Sequence, residues 1–224
     1  MITSARIVQW LLFVSLTALT ACGGGSSGPQ GPVATTPLVI VAFGDSLTDE
    51  NSGFVTPGSS WVAKLQRQIS TDGVNSKQSV TVINAGIGGE TTRDALARLP
   101  GVLAQYRPTH IFLAHGTNDL WQCYVSCFES TQTNLERMAQ MSKSYGAQII
   151  MTDITLKSFG DGAAASYSAM HKAVAADNGT NYIQLIDGVA YDDSHYWTDG
   201  VHLRDSAQEQ MKNNAVKALY PLIK

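Results

Sequence analysis

Apolar and polar positions along this chain follow two alternating periods. Short runs rich in Val, Ile, Leu and Phe recur at residues 38–43, 80–84, 110–114, 148–152 and 182–186. Each is bounded by Gly, Asp, Asn or Ser, the pattern of a buried strand. Between them, apolar residues recur at three- and four-residue spacing near 60–70, 92–105, 131–145, 164–177 and 206–220. That spacing predicts amphipathic helices. Gly146 and Gly179 stand where a left-handed residue would close two of them. Strands alternating with helices predict βα units around a five-stranded parallel sheet, a doubly wound α/β domain over residues 38–224. In such a sheet, functional groups gather beyond the carboxyl ends of the strands. The segments that follow the first three strands are Gly44-Asp45-Ser46, then Ala85 to Thr92, then His115-Gly116-Thr117-Asn118-Asp119. They are small or polar almost throughout.

The first 37 residues break this pattern. Arg6 is followed by an almost unbroken apolar stretch to Leu19. It is too short to span a bilayer comfortably and ends in small residues, as a secretory signal peptide does over 1–21. Leu19-Thr20-Ala21-Cys22 resembles a bacterial lipobox, which implies cleavage before Cys22 and lipidation of its thiol. Two or more acyl chains there suffice for stable membrane anchoring. Gly23 after the cysteine resembles lipoproteins sorted to an outer membrane, with the domain in the periplasm or at the cell surface. Residues 22–37 are rich in Gly, Ser, Pro and Thr and carry no charge. They predict a flexible tether spanning on the order of 20 Å. Gly24-Gly25-Ser26-Ser27-Gly28 satisfies the pattern G-x-S-x-G, but no strand precedes it and no helix follows, so it lacks the context that gives that motif meaning.

Composition narrows the classes. With 44% hydrophobic and 15% charged residues among 224, the chain is suited to one well-buried domain, expected as a monomer. A net charge of -3, with no basic stripe, excludes a nucleic acid as the main partner. Residues 1–21 contribute Arg6 and no acid, so the anchor is lipid rather than a polybasic patch. Export into an oxidising compartment makes Cys123 and Cys127 a pair for a local disulfide that would stiffen its own segment. Two cysteines do not make a zinc site, and Asp192, Asp193 and His195 lack a coordination set, so no metal and no cofactor are expected.

Ser46, at the exit of the first strand, is a weak nucleophile by itself and needs a base, an orienting carboxylate and oxyanion donors. Four blocks resemble those of the GDSL or SGNH hydrolases, and the resemblance covers residues 38–224. They are Gly44-Asp45-Ser46-Leu47, the stretch Asn84 to Thr92 containing Gly89, Gly116-Thr117-Asn118-Asp119, and Asp199-Gly200-Val201-His202-Leu203. The resemblance implies a three-layer α/β/α, flavodoxin-like fold and a cofactor-free serine esterase working through an acyl-enzyme. In that scheme Ser46 attacks, His202 shuttles the proton and Asp199 orients His202. The backbone N–H groups of Ser46 and Gly89 and the Asn118 amide stabilise the oxyanion. The Asp-x-x-His spacing lets both side chains come off one short loop. Gly86, Gly88 and Gly89 all suit a close backbone approach. Gly89 is chosen because it precedes Glu90-Thr91-Thr92, where the family often has Gly-Asp-Thr.

Around these residues, Asp45 is expected to order its turn rather than act as an acid. His110, His171 and His195 carry structural readings. His115 stands where the family commonly has a small residue, and is expected to bear on a pocket wall. Tyr191, Tyr196 and Trp197 are expected either to line the site or to join the core. Substrates implied are short acyl esters, aryl esters, thioesters or lysolipids. Acetylated sugars form an alternative, as a carbohydrate O-deacetylase, and a non-catalytic glycan-binding surface lipoprotein is the rival from another class. Chain-length preference would be set by the segments 120–128 and 159–163.

Overall fold

The computed structural model of the protein describes residues 37–74, 78–153 and 162–223. The leader, Cys22, all but the last residue of the tether and most of the 159–163 segment lie outside the described residues.

Five parallel strands, β1 (Leu38–Gly44), β2 (Val80–Asn84), β3 (His110–Ala114), β4 (Gln148–Asp153) and β5 (Asn181–Gln184), form one sheet in the order β2-β1-β3-β4-β5. Helices α1 (Trp61–Thr71), α2 (Thr92–Tyr106), α3 (Thr117–Cys123), α4 (Phe128–Ser144), α5 (Gly162–Asp177) and α6 (Asp205–Ile223) complete the chain, with a 3-10 turn at Tyr124–Cys127.

The period-2 geometry of the strands divides the core in two. Ile40, Ala42, Phe112 and Ile150 face α1 and α6, where they meet Trp61, Leu65, Met211 and Leu219. Val41, Phe43, Ile111, Leu113, Ile149 and Met151 face α2, α4 and α5, against Leu99, Leu103, Leu135, Met138 and Val174. Covering a parallel sheet on both faces makes its strands apolar runs rather than alternating ones. Three layers therefore result.

The helices begin where their caps are. Ser60 accepts the Ala63 N–H at 3.2 Å to start α1, and Thr91 with Asp94 forms a capping box on α2. Helix α2 continues through Pro100, an interior residue that costs about 3 kcal/mol. Burial of Leu99, Val102 and Leu103 on the sheet, at roughly 2 kcal/mol each, outweighs that penalty. Gly146 and Gly179 close α4 and α5 at φ +84° and +57°.

Three elements differ from the sequence expectation. Strand β5 ends at Gln184, because Leu185 and Ile186 leave the ladder and bury themselves against α6 instead. Helix α4 starts at Phe128, three residues early. Helix α3 occupies residues expected as a loop. Seven residues with only Thr117, Asp119 and Leu120 buried carry no apolar period, and a helix that short depends on its tertiary contacts.

Helix α3 is launched by Gly116, at φ +125°, where a Cβ would lie 2.7 Å from His171 Nε2. The ring of His171, on α5, fills that space and its Nε2 lies 2.8 Å from the His115 carbonyl oxygen. Gly116→Ala is expected to lower stability by about 2–3 kcal/mol, from backbone strain plus displacement of His171. Urea denaturation followed by circular dichroism checks it; a loss below about 0.5 kcal/mol would contradict this account of the turn.

Candidate active site

Strand order reverses about β1, so its carboxyl end and that of β3 border a crevice. The pairing of Gly44 with Ala114 brings the two chain exits to one level. The β2 exit follows: Ala85 N–H donates to the Ala42 carbonyl at 2.8 Å and Ile87 N–H to that of Gly44 at 3.0 Å. Three of the four blocks thus meet at one edge of the sheet.

Beyond Gly44 the chain turns tightly. The Asp45 carbonyl accepts the N–H groups of Thr48 and Asp49 at 3.0 and 2.9 Å, and Asp45 Oδ1 accepts that of Leu47 at 3.0 Å. Asp45 therefore orders the turn, and Ser46 is left half-buried at its crest. Complete burial pushes the Asp45 carboxyl up to about 6, with nearby His115 and the Leu47 N–H opposing the rise only in part.

The fourth block arrives on a loop pinned by the bridge between Tyr196 and Leu203, both buried. Asp199 Oδ1 accepts the N–H groups of Val201 and His202 at 2.9 and 3.0 Å. Its Oδ2 lies 2.8 Å from His202 Nδ1, and His202 Nε2 lies 2.9 Å from Ser46 Oγ. Partial burial alone would raise the Asp199 carboxyl; the two backbone donors and the imidazole overcome this and hold it below the usual carboxylate range. An ionised Asp199 accepts a hydrogen bond from the Nδ1–H of His202, which leaves Nε2 to accept from serine.

The three glycines of the second block differ in what their N–H groups do. Gly86 donates to Asn84 Oδ1 and Gly88 to Asp49 Oδ2, each at 3.0 Å. Among the described residues, no acceptor takes the N–H of Gly89, which sits at φ +78° with open space where a Cβ would be. The Ser46 N–H is likewise without a protein acceptor there. Asn118, in the first turn of α3, donates one Nδ2 hydrogen to the Glu90 carbonyl at 3.0 Å and has a second. Asp119 closes the block: its carboxylate accepts the Thr92 N–H at 2.8 Å, the Thr92 hydroxyl at 2.5 Å and the Thr131 hydroxyl at 3.1 Å. An acid is favourable at the start of α2.

Several neighbours take other places than the sequence suggested. His115 does not wall a pocket: it is buried, with Nε2 2.9 Å from Glu90 Oε2 and its ring 4.8 Å from that of Phe43. Tyr196 belongs to the core, Tyr191 is exposed, and Trp197 lines a cavity of about 470 Å³ with Phe54 and Arg204. Asp192 serves its own turn, accepting the N–H groups of Ser194 and His195. Cys123 and Cys127 are joined, with Cα atoms 5.5 Å apart, across the segment that follows Asn118.

Phe54 was not legible as a site residue. Its ring lies flat on His202, centroids 3.4 Å apart and planes 6° from parallel, and its carbonyl accepts Trp197 Nε1–H at 2.9 Å. It lies in an irregular Gly/Ser-rich stretch without periodicity, so only the fold places it. Arg98, whose guanidinium grips Glu90, was hidden in the same way among the polar positions of α2.

A hydroxyl, an imidazole and a carboxylate thus stand in line at the switch point of a parallel α/β sheet. The chain belongs to the GDSL-like lipase/acylhydrolase family, whose model matches residues 42–210. It is 31% identical over 196 residues to esterase TesA of Pseudomonas aeruginosa, covering 87% of this chain and 92% of that one. It is 27% identical over 187 residues to thioesterase 1/protease 1/lysophospholipase L1 of Escherichia coli, covering 82% and 84%. The crystal structure of TesA superposes with a TM-score of 0.74 at 29% identity, over 82% of this chain and 99% of that one. The protein is thus a carboxylic ester hydrolase of the three-layer α/β/α kind.

The raised Asp45 value makes stability depend on pH. Its folded value of about 6 lies above the ordinary 3.8, so the folded state holds the proton more tightly. The associated stabilisation is complete below about pH 4 and is lost as pH rises through 6. Asp45→Asn, which retains the acceptor for Leu47, is expected to shrink the difference in unfolding free energy between pH 4 and pH 8 by about 2–3 kcal/mol. Urea titrations at the two pH values measure this, and an unchanged difference refutes it.

Proposed function

We propose that Ser46, His202 and Asp199 act as an acyl-transfer triad, with the N–H groups of Ser46 and Gly89 and the Asn118 amide as oxyanion donors. The observation that carries this is the line from Ser46 Oγ through His202 to Asp199, with hydrogen bonds of 2.9 and 2.8 Å. In the reaction, Ser46 Oγ attacks the ester carbonyl as its proton passes to His202 Nε2. The carbonyl oxygen gains the negative charge and the three donors stabilise it. His202 then returns the proton to the departing alcohol or thiol, leaving an acyl-enzyme on Ser46. Water repeats the sequence in reverse, with His202 again as base. Phe54 covers one face of the imidazole, a position in which an aromatic face favours the cation formed in each step.

The substrates proposed are carboxylic esters of simple alcohols or phenols, thioesters and lysolipids. The names of the relatives favour this range: esterase for the Pseudomonas protein, thioesterase and lysophospholipase for that of Escherichia coli. The lipobox-like Leu19-Thr20-Ala21-Cys22 and the uncharged tether support export and lipid anchoring at Cys22, with the domain working as a monomer beside a bacterial outer membrane.

Wild-type protein is expected to be labelled at Ser46 by a fluorophosphonate. Ser46→Ala should lose both labelling and ester turnover, and Asp199→Asn should lower kcat by about ten-thousand-fold with little change in KM. Labelling or turnover that survives Ser46→Ala would sink the mechanism. Rates on acetyl, butyryl and long-chain p-nitrophenyl esters, an acyl thioester, a lysophospholipid and acetylated xylan then rank the substrate classes. For the anchor, Cys22→Ser is expected to move the protein from the membrane to the soluble fraction and to abolish incorporation of labelled palmitate. A variant still in the membrane pellet would refute lipidation at Cys22.

A further inference from the structure

We propose that Glu90 is the positioning residue of the oxyanion hole: its side chain is clamped between Arg98 and His115, and its main chain fixes the two donors contributed by Gly89 and Asn118. This rests on the oxyanion roles proposed above for those two residues.

The glycine block has little to hold it. Gly86, Gly88 and Gly89 have no side chains, and glycine is the residue least able to keep one backbone conformation. On one side Asp49 Oδ2 secures Gly88. On the other, the next side chain able to fasten the loop is that of Glu90, immediately after Gly89. Its carboxylate is almost fully buried. Arg98 Nε donates to Oε1 at 2.7 Å and Arg98 Nη2 to Oε2, while His115 Nε2 lies 2.9 Å from Oε2. Burial alone would raise this carboxyl; Arg98 and His115 together hold it below its usual range, as an anion.

The clamp is referenced to the nucleophile. Arg98 Nη2 also donates to the Ala85 carbonyl at 3.0 Å, at the β2 exit. Its guanidinium lies 4.3 Å over the ring of Phe43, which the His115 ring also meets at 4.8 Å. Phe43 directly precedes Gly44-Asp45-Ser46. Three blocks are thereby tied to one buried carboxylate. The Glu90 carbonyl accepts one hydrogen of Asn118 Nδ2, which fixes the orientation of that amide and directs its second hydrogen. Oxyanion donors act only when preorganised at the position the charge will take. A Glu90 that relaxed would shift the Gly89 backbone and release the Asn118 amide together.

The test is a double-mutant cycle between Glu90→Gln and Asn118→Ala, read by kcat, KM and inhibition by an alkyl trifluoromethyl ketone, which forms a tetrahedral oxyanion on the serine. In folded Glu90→Gln, kcat is expected to fall about 10–100-fold with KM within about threefold, and ketone affinity to fall by the same factor as kcat. In an Asn118→Ala background, Glu90→Gln is expected to cost at most about a third of that factor, because one of the donors it positions is already gone. Arg98→Lys keeps the charge and loses the two-pronged grip. It should show the same pattern more weakly, and serves if Glu90→Gln does not fold. The proposal is overturned by an unchanged kcat in either folded variant, by ketone affinity that stays constant while kcat falls, or by fully multiplicative costs in the cycle. An Asn118→Ala variant with wild-type kcat would remove the oxyanion assignment itself, and the clamp with it. A full Asn118→Ala loss with multiplicative costs removes the clamp alone.

Discussion

The parallel pairing of β1 with β3 sets the position of everything at the functional edge. Gly44 pairs with Ala114, so the Ser46 turn and the start of α3 leave the sheet side by side. The register is held by packing on both faces: a slip of one residue would exchange Val41 and Phe43 with Ile40 and Ala42 across the sheet. It would also move one exit about 3.3 Å along the other, more than a hydrogen bond tolerates. The apolar core thus sets the distances within the crevice, and no residue of the crevice has to fix its own place along the strand axis.

Four carboxylates recur at this edge, three of them buried, and each is handled differently. Asp45 is taken fully out of water and gains a single backbone donor, so its proton is held unusually tightly. Glu90 gains a guanidinium and an imidazole and stays ionised. Asp119 meets one backbone and two hydroxyl donors, and Asp199 two backbone donors and the imidazole. Since burying an unpaired carboxylate costs several kcal/mol, the partners of Glu90 and Asp119 cannot be removed singly without loss. Glu90 and Asp119 also connect segments far apart in sequence, which makes them fasteners of the crevice as much as charges within it.

Strand exits, a pinned loop and a disulfide-joined turn divide the work of holding the site. Ser46 and Asn118 project from the ends of rigid elements, while Asp199 and His202 ride on a loop anchored by Tyr196, Leu203 and Val201, which reach both halves of the core. The bond between Cys123 and Cys127 closes only a short loop, so its effect is local, on the turn between α3 and α4. That turn exposes Tyr124 and Val125, and the α3 helix before it exposes Trp121.

The sequence by itself determined the layer architecture, four of the five strands to within a residue, and the identity of Ser46, His202, Asp199, Gly89 and Asn118 as candidates. The layers were legible because apolar period is a local signal, and the five candidates because their four blocks resemble those of the GDSL or SGNH hydrolases. The Asp-x-x-His pair was legible since its geometry closes within one loop. Only the tertiary structure decided which glycine has an unused N–H, because Asn84 and Asp49 claim the other two from outside the block. Only it placed Phe54 on His202 and buried His115 against Glu90. Helix α3 and the early start of α4 were also hidden, their ends being set by Gly116, His171 and the turn at Cys123 rather than by propensity. Contacts made across 25 to 156 positions leave no periodic mark on either partner. Each such side chain looks ordinary until the sheet brings its partner to it.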